Sequence, residues 1–209
     1  MKYNFIAIEG NIGSGKTTLA NRLANDLRAR LLLEQFANNP FLPKFYKSPE
    51  ENAFALELFF MAERYQQLKD HQEQDLFFPI TVSDYFFVKS KLFAKNNLNL
   101  DEQKLFDRLF DIMVSFLPFP DIIIYLHADI YRLQANIKKR GRSFEKNISE
   151  KYLYDIQNRY LDYLSKQSKV PVLIVDITKV DFKENKIIYQ EIKGLLNSSY
   201  HTGIHRFTL

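Results

Sequence analysis

Three observations predict an α/β fold, a parallel sheet of five strands flanked by helices. Short apolar runs alternate with helical patterns along the chain, the order that sets parallel strands between covering helices. The first apolar run, Phe5-Ile6-Ala7-Ile8, feeds into a glycine-rich turn that opens a helix. The length of 209 residues with 46% hydrophobic content supports one substantial core. No repeat, low-complexity tract or linker interrupts it, so residues 1–197 are expected to form one domain and 198–209 a loose tail.

The expected strands are 3–9, 30–34, 78–83, 121–127 and 171–176; the expected helices are 16–28, 50–69, 86–95, 101–117, 129–140, 149–167 and 183–196. The first strand is the apolar run just quoted. Leu19, Leu23 and Leu27 give the first helix one apolar face. Leu31-Leu32-Leu33 forms the second strand and Glu34 closes it. The long helix after Pro49 is apolar almost all round, with Phe54, Leu58, Met61, Tyr65 and Leu68 on one face and Leu56 and Phe59 behind, the pattern of a buried helix. Pro79-Ile80-Thr81-Val82-Ser83 is the third strand. Asp121 starts the fourth after Pro118-Phe119-Pro120. Pro171 opens the fifth, where a missing N–H is tolerated.

Composition narrows the function classes. With no cysteine, disulfides and thiolate metal sites are excluded, and a reducing, cytoplasmic setting fits. The four histidines show no metal-ligand spacing; His201 and His205 are one helical turn apart but lie in a polar stretch. No run approaches the roughly 18–20 apolar residues of a membrane span. The N-terminus reads as a strand entering a loop rather than as a signal peptide. The net charge of +4 is mild, and basic residues serving phosphates account for it. Neither nucleic acid nor membrane is an expected partner.

Residues 9–18 read Glu-Gly-Asn-Ile-Gly-Ser-Gly-Lys-Thr-Thr. Gly10, Gly15, Lys16 and Thr17 have the spacing of a phosphate-binding loop, with an extra glycine at Gly13. Glycines let the loop from Gly10 through Asn11, Ile12, Gly13 and Ser14 to Gly15 turn its N–H groups onto phosphate oxygens. Lys16 reaches the β- and γ-phosphates, the Thr17 hydroxyl ligates Mg²⁺, and Thr18 continues the first helical turn. That helix aims its positive N-terminus at the same anion. A mere glycine turn does not require Lys-Thr after the last glycine. The fold expected is therefore P-loop NTPase-like, with ATP and Mg²⁺ bound at Gly10 to Thr18.

In open parallel sheets ligands bind beyond the carboxyl ends of the strands, and Glu34 and Asp84 fall at two such ends. Glu34 is readable as a solvated loop acid or as an acceptor for the proton of an attacking hydroxyl. Asp84 is either a strand-end acid turned to a ligand or the N-cap of the following helix. Glu57 and Arg64 lie on one side of the long helix, and they either reach solvent or need buried partners. Arg140 and Arg142 flank Gly141. Alone they read as a solvated helix end; beside a phosphate loop they suit a mobile lid, because the guanidinium fork binds phosphate oxygens bidentately.

In this order and spacing, several features together resemble the deoxyribonucleoside kinase family over roughly residues 3–196. They are Ile8 to Thr17; Glu34; Tyr46-x-x-Pro49; Arg140-Gly141-Arg142-x-x-Glu145; and Val172 to Asp176 followed by Asp181-Phe182-Lys183. The resemblance implies transfer of the ATP γ-phosphate to the 5′-hydroxyl of a deoxynucleoside by a homodimer, with helix 101–117 as candidate interface. It implies Glu34 as general base, with Lys16, Arg140 and Arg142 neutralising developing charge. Tyr46 is implied near the sugar 3′-oxygen with Glu145 as its partner from the lid, and Glu57 and Arg64 on the base. Phe93 resembles an aromatic that stacks on the base, with core packing as the alternative.

Two departures stand out. Glu57 occupies a position where the family usually has glutamine. The resemblance implies Asp84 as the acid that supports Mg²⁺, but Asp84 is followed by Tyr85 instead of the arginine of the family's acidic-Arg-Ser signature, and Lys89 is the candidate replacement cation. An ionised carboxylate offers acceptors only, so Glu57 suits the adjacent donors of guanine, whereas a protonated acid pairs with adenine. The expected substrate is a purine, deoxyguanosine ahead of deoxyadenosine. Two rivals remain. A nucleoside monophosphate kinase shares loop, sheet and lid but needs extra basic residues at the acceptor. A GTPase-like switch or ATP-binding regulatory module needs no acceptor at all, but the guanine-reading Asn-Lys-x-Asp is absent.

Overall fold

The computed structural model describes residues 2–36, 39–73, 78–145 and 147–209. In chain order these form β1 (Phe5–Gly10), α1 (Lys16–Leu27), β2 (Arg30–Leu32), α2 (Leu42–Phe45), α3 (Pro49–Glu73), β3 (Thr81–Ser83), α4 (Lys89–Asn97), α5 (Leu100–Val114), β4 (Ile122–His127), α6 (Ile130–Arg140), a 3₁₀ turn (Ser143–Glu145), α7 (Glu150–Lys166), β5 (Pro171–Asp176), α8 (Lys186–Leu195) and β6 (Gly203–Thr208). The strands make one wholly parallel sheet in the order β2-β3-β1-β4-β5-β6. Ile6 of β1 lies opposite Val82 on one side and Ile122 on the other.

Side chains alternate across a strand, so the sheet carries two cores. Ile6 and Ile8, Ile122, Ile124 and Leu126, and Leu173 and Val175 pack with Leu19 and Leu23 of α1, Leu133 of α6 and Ile192 of α8. Phe5 and Ala7, Ile123 and Tyr125, and Val172 and Ile174 pack with Met61 and Leu68 of α3, Phe106 and Phe110 of α5, and Ile156 and Tyr160 of α7. Coverage on both faces explains why the central strands read as continuous apolar runs. Among the described residues no helix is long and apolar enough to cross a membrane.

The sheet has six strands, not the expected five. The stretch read as a loose tail contains β6, which pairs with β5 from Pro171 opposite Gly203 to Asp176 opposite Thr208. An edge strand covered on part of its surface needs few apolar residues, and here only Ile204 and Phe207 pack against the cores. Pro171 thus opens an interior strand, tolerated at its first residue. The short α2 also went unmarked in the sequence. Strand order reverses at β1, between β3 and β4, and that switch point is where such sheets bind ligands.

Candidate active site

The loop after β1 is shaped by its glycines. Gly13 and Gly15 have φ of 85° and 89°, which L side chains rarely adopt. A Cβ at Gly13 would stand 2.7 Å from the Leu133 carbonyl of α6, so the extra glycine of the motif is where the lid helix crosses the loop. Asn136 of α6 donates to the Gly13 carbonyl at 2.8 Å. Asn11 braces the loop from the other side, donating to the Leu153 carbonyl at 2.7 Å and accepting from the Ile12 N–H at 2.8 Å. Lys16 Nζ donates to the Asn11 carbonyl at 2.9 Å. Burial and the nearby Lys89 charge pull the Lys16 pKa down to about 8, against the opposing pull of Glu9, Glu34 and Asp84.

Glu34 lies just past β2, where a buried ion cluster holds it. Its Oε1 accepts from Arg64 Nε at 3.0 Å and from a second Arg64 nitrogen at 2.5 Å, and its Oε2 accepts from Lys89 Nζ at 2.7 Å. Burial raises the carboxyl pKa, but the Lys89 and Arg64 charges and hydrogen bonds outweigh it and hold the group well below the usual carboxylate range. Arg64 completes its fork on Ser90 Oγ at 2.8 Å. Next to this cluster Asp84 accepts from the Thr17 hydroxyl at 2.5 Å through Oδ2 and from the Glu34 N–H at 2.8 Å through Oδ1. Asp84 thereby ties the phosphate loop, β2 and β3 together. It is not a helix N-cap, because α4 begins at Lys89 with Val88 before it.

A cavity opens on this cluster, bounded by Glu34, Asp84, Phe36, Tyr46, Glu57 and Phe93 among others, with about 800 Å³ of empty space, part of it open to solvent. At its wall Glu57 of α3 is 1% exposed, so it does not reach solvent. Its Oε1 accepts from Asn97 Nδ2 at 2.7 Å, and its Oε2 is buried without a hydrogen-bond partner. Burial pushes the Glu57 pKa up to about 7, opposed by the Arg64 charge and the Asn97 hydrogen bond. Tyr46 stacks on Phe144 with ring centroids 6.0 Å apart, and burial followed by the Glu145 charge pushes its hydroxyl pKa well up.

A second pocket lies across the loop, lined by Gly13 to Thr18, Arg132, Asn136, Lys139, Val180, Phe182 and Lys183. Gly13, Lys16, Thr17, Arg140 and Arg142 border both pockets. A group leaving one for the other must pass these residues. Arg140 is ion-paired with Glu145 Oε2, and Arg142 with Glu145 Oε1 at 3.2 Å. Arg142 also covers the Phe36 ring, 3.6 Å from its centroid.

Residues 6–199 match the family profile described as deoxynucleoside kinase. The chain belongs to that family. It is 37% identical over 195 residues to deoxyguanosine kinase of Bacillus subtilis (strain 168), spanning 90% of this chain and 93% of the relative. It is 31% identical over 205 residues to the deoxyadenosine/deoxycytidine kinase of the same organism, spanning 96% and 94%. Among solved structures it is similar to deoxyadenosine kinase from M. mycoides with bound dATP, with a TM-score of 0.80, 27% identity and coverage of 93% and 100%. The structure of that enzyme with bound dCTP gives a TM-score of 0.79 at 26% identity, covering 93% and 99%. This deoxynucleoside kinase is an ATP-dependent phosphotransferase.

In the kinase, Lys16, Thr17, Glu34, Tyr46, Glu57, Arg64, Asp84, Phe93, Arg140, Arg142 and Glu145 all border one cavity. Phe93 is also edge-on to Tyr160 at 6.4 Å, so wall and packing roles coexist. Glu145, expected as the partner of Tyr46, is ion-paired with Arg140 and Arg142. Arg64 makes its hydrogen bonds with Glu34 and Ser90. Asn97, Ser90, Tyr152, Arg132 and Asn136 were not anticipated, whereas Phe182 belongs to the Asp181-Phe182-Lys183 stretch that carried the family resemblance. Asn97 and Asn136 sit on helices as ordinary polar residues, and nothing in their local sequence marks them.

Proposed function

We propose that this kinase transfers the ATP γ-phosphate to the 5′-hydroxyl of a purine deoxynucleoside, deoxyguanosine ahead of deoxyadenosine. The observation that carries the reading is Glu57: a carboxyl at the cavity wall with one oxygen tied to Asn97 and the other buried without a partner. A buried acceptor with no donor costs about 1–3 kcal/mol, which a base bearing adjacent N–H donors relieves. Guanine presents N1–H and the 2-amino group side by side. The curated relatives carry both purine names, including deoxyguanosine kinase at 37% identity and deoxyadenosine kinase of Dictyostelium discoideum at 32%.

In the mechanism, Glu34 accepts the hydrogen bond of the 5′-hydroxyl and takes its proton as the phosphorus–oxygen bond forms. Lys16, Arg140 and Arg142, on the border of both pockets, follow the γ-phosphoryl group and spread its charge. Thr17 and Asp84 fit Mg²⁺: a hydroxyl and a carboxylate in contact beside the phosphate loop are hard oxygen donors, and Mg²⁺ takes few protein ligands beside phosphates and water. Among the described residues no cluster of three or more His, Asp or Glu converges on a metal, consistent with that sparse ligation. Bound there, the ion would offset the charge of the donor phosphates. Tyr46 and Phe93, both on the cavity wall, would meet the sugar and the base respectively.

The working unit is a homodimer through α5. Leu105 and Ile112 fall on one face of α5 and are 48% and 63% exposed, and Phe116 in the turn just beyond it is 66% exposed, an apolar patch that a second copy would cover. Phosphoryl transfer from ATP measured across the four deoxynucleosides and their monophosphates tests the substrate reading. A pyrimidine or a monophosphate as the best acceptor would overturn it.

A further inference from the structure

The two carboxyl oxygens of Glu57 differ: Oε1 is engaged by Asn97, and Oε2 is buried without a hydrogen-bond partner. A carboxylate only accepts hydrogen bonds, so Asn97 must turn its NH₂ toward Oε1, as it does at 2.7 Å. Asn96 Nδ2 approaches the Asn97 carbonyl oxygen at 3.3 Å and favours that orientation. Oε1 is thus engaged as an acceptor in either protonation state. A proton arriving on Glu57 belongs on Oε2, the oxygen without a partner. Ionised, Oε2 accepts and suits the N1–H of guanine. Protonated, Oε2 donates and suits the bare N1 of adenine, while Oε1 keeps a lone pair for the neighbouring amino group.

We propose that Asn97 is a specificity-determining positioning residue that fixes the Glu57 proton on Oε2, so that the kinase favours deoxyguanosine in alkali and deoxyadenosine in acid. This rests on the purine reading above. Burial sets the Glu57 pKa at about 7, which places the exchange within the working range. The charged and titratable neighbours do not move through that range in a way that mimics it. Arg64 on α3 stays cationic, and Glu34 beside β2 stays anionic. Lys89 on α4 is paired to Glu34. Tyr46 after α2 and Tyr152 on α7 are both pushed up and stay neutral. Glu145 in the lid is paired with Arg140 and Arg142. Lys16 titrates at about 8, but it serves phosphate and acts on both nucleosides alike. The ratio of two kcat/KM values cancels it.

The test is kcat/KM for deoxyguanosine and deoxyadenosine between about pH 5.5 and pH 9 in the parent, Glu57→Gln and Asn97→Ala. In the parent the ratio should rise with pH by about tenfold or more, with its midpoint near neutrality. In Glu57→Gln the amide oxygen keeps Asn97 and the NH₂ takes the place of Oε2 as a permanent donor. Its ratio should lie on the deoxyadenosine side at every pH. Asn97→Ala removes the hydrogen bond that lowers the Glu57 pKa, so its midpoint should move to more alkaline pH. A flat ratio in the parent, or a sloping one in Glu57→Gln, overturns the inference while leaving a purine kinase. An unmoved midpoint in Asn97→Ala removes Asn97 from the role. Phosphorylation of neither purine deoxynucleoside at any pH overturns the purine reading itself.

Discussion

Replacing Glu34 by glutamine is the sharpest probe of the site. The side chain keeps its shape but loses one acceptor and gains a donor. In the parent Oε1 receives two Arg64 nitrogens, at 3.0 and 2.5 Å, and Oε2 receives Lys89 at 2.7 Å. If the amide oxygen stays with Arg64, the new NH₂ faces the Lys89 ammonium and neither can accept. The lost charge-assisted bond and the two under-compensated cations should cost about 2–3 kcal/mol of stability, below the full cost of breaking a buried pair because the amide keeps Arg64. Turnover should fall by about 10²-fold, the low end for a general base, because a carboxylate held this far below its usual range is a weak base and the proton departs late in a loose transition state. The acid limb carries a second signature. A depressed carboxyl stabilises the fold above its unfolded pKa of about 4.3 and loses that contribution as pH falls toward its folded value, so stability of the glutamine variant should depend less on pH below about pH 4. Turnover with ATP, nucleoside affinity and urea denaturation at several pH values measure the three effects. A folded variant turning over within about threefold of the parent would refute the assignment of Glu34 as the base.

Further outcomes follow from the same geometry. Lys89→Met removes the charge that depresses Lys16, so an alkaline limb of kcat/KM near pH 8 should move to higher pH while turnover falls; an unmoved limb would separate the two lysines. Arg140→Ala and Arg142→Ala should each lower kcat by about 10²-fold or more with little change in nucleoside affinity, and a pure rise in KM would reassign that arginine to substrate binding. Asp84→Asn should raise the Mg²⁺ concentration for half-maximal turnover by about tenfold or more, with equal half-saturation arguing that Asp84 only braces Thr17. Ile112→Lys combined with Phe116→Lys should shift sedimentation from dimer to monomer, and a dimer that persists would place the interface away from α5.

What the sequence disclosed divides by range. The phosphate loop was legible because its chemistry is local: Gly10 to Thr18 must be contiguous to wrap one anion. Glu34 and Asp84 were legible by position, because an acid at the end of an apolar run beside that loop has few places to go. Asn97 was not legible. Its partner Glu57 lies on another helix, and an asparagine near a helix end is ordinary in itself. The alternative of a helix cap for Asp84 failed because the chain takes four further residues before α4 turns. β6 escaped because a parallel edge strand is specified mainly by the backbone bonds of β5 and by two apolar contacts, too few to stand out from polar surroundings.

The cations of the site fall into two groups by how they are held. Arg64 and Lys89 are buried on Glu34, their side chains 3% and 7% exposed, and a buried cation parted from its ion-pair partner is strongly penalised. They are fixed parts that keep Glu34 ionised and aimed. Arg140 and Arg142 rest on Glu145 with their side chains 34% and 29% exposed, on either side of a glycine that no neighbour crowds. Solvent already shares those pairs, so an arriving phosphate exchanges one anion for another at little cost. Lys16 is intermediate: it donates to the neutral Asn11 carbonyl, and a triphosphate is a far stronger acceptor. The division assigns tasks without reference to motif. In the proposed mechanism, the cations that stay with their carboxylate would position the base, and those that can exchange partners would escort the phosphoryl group.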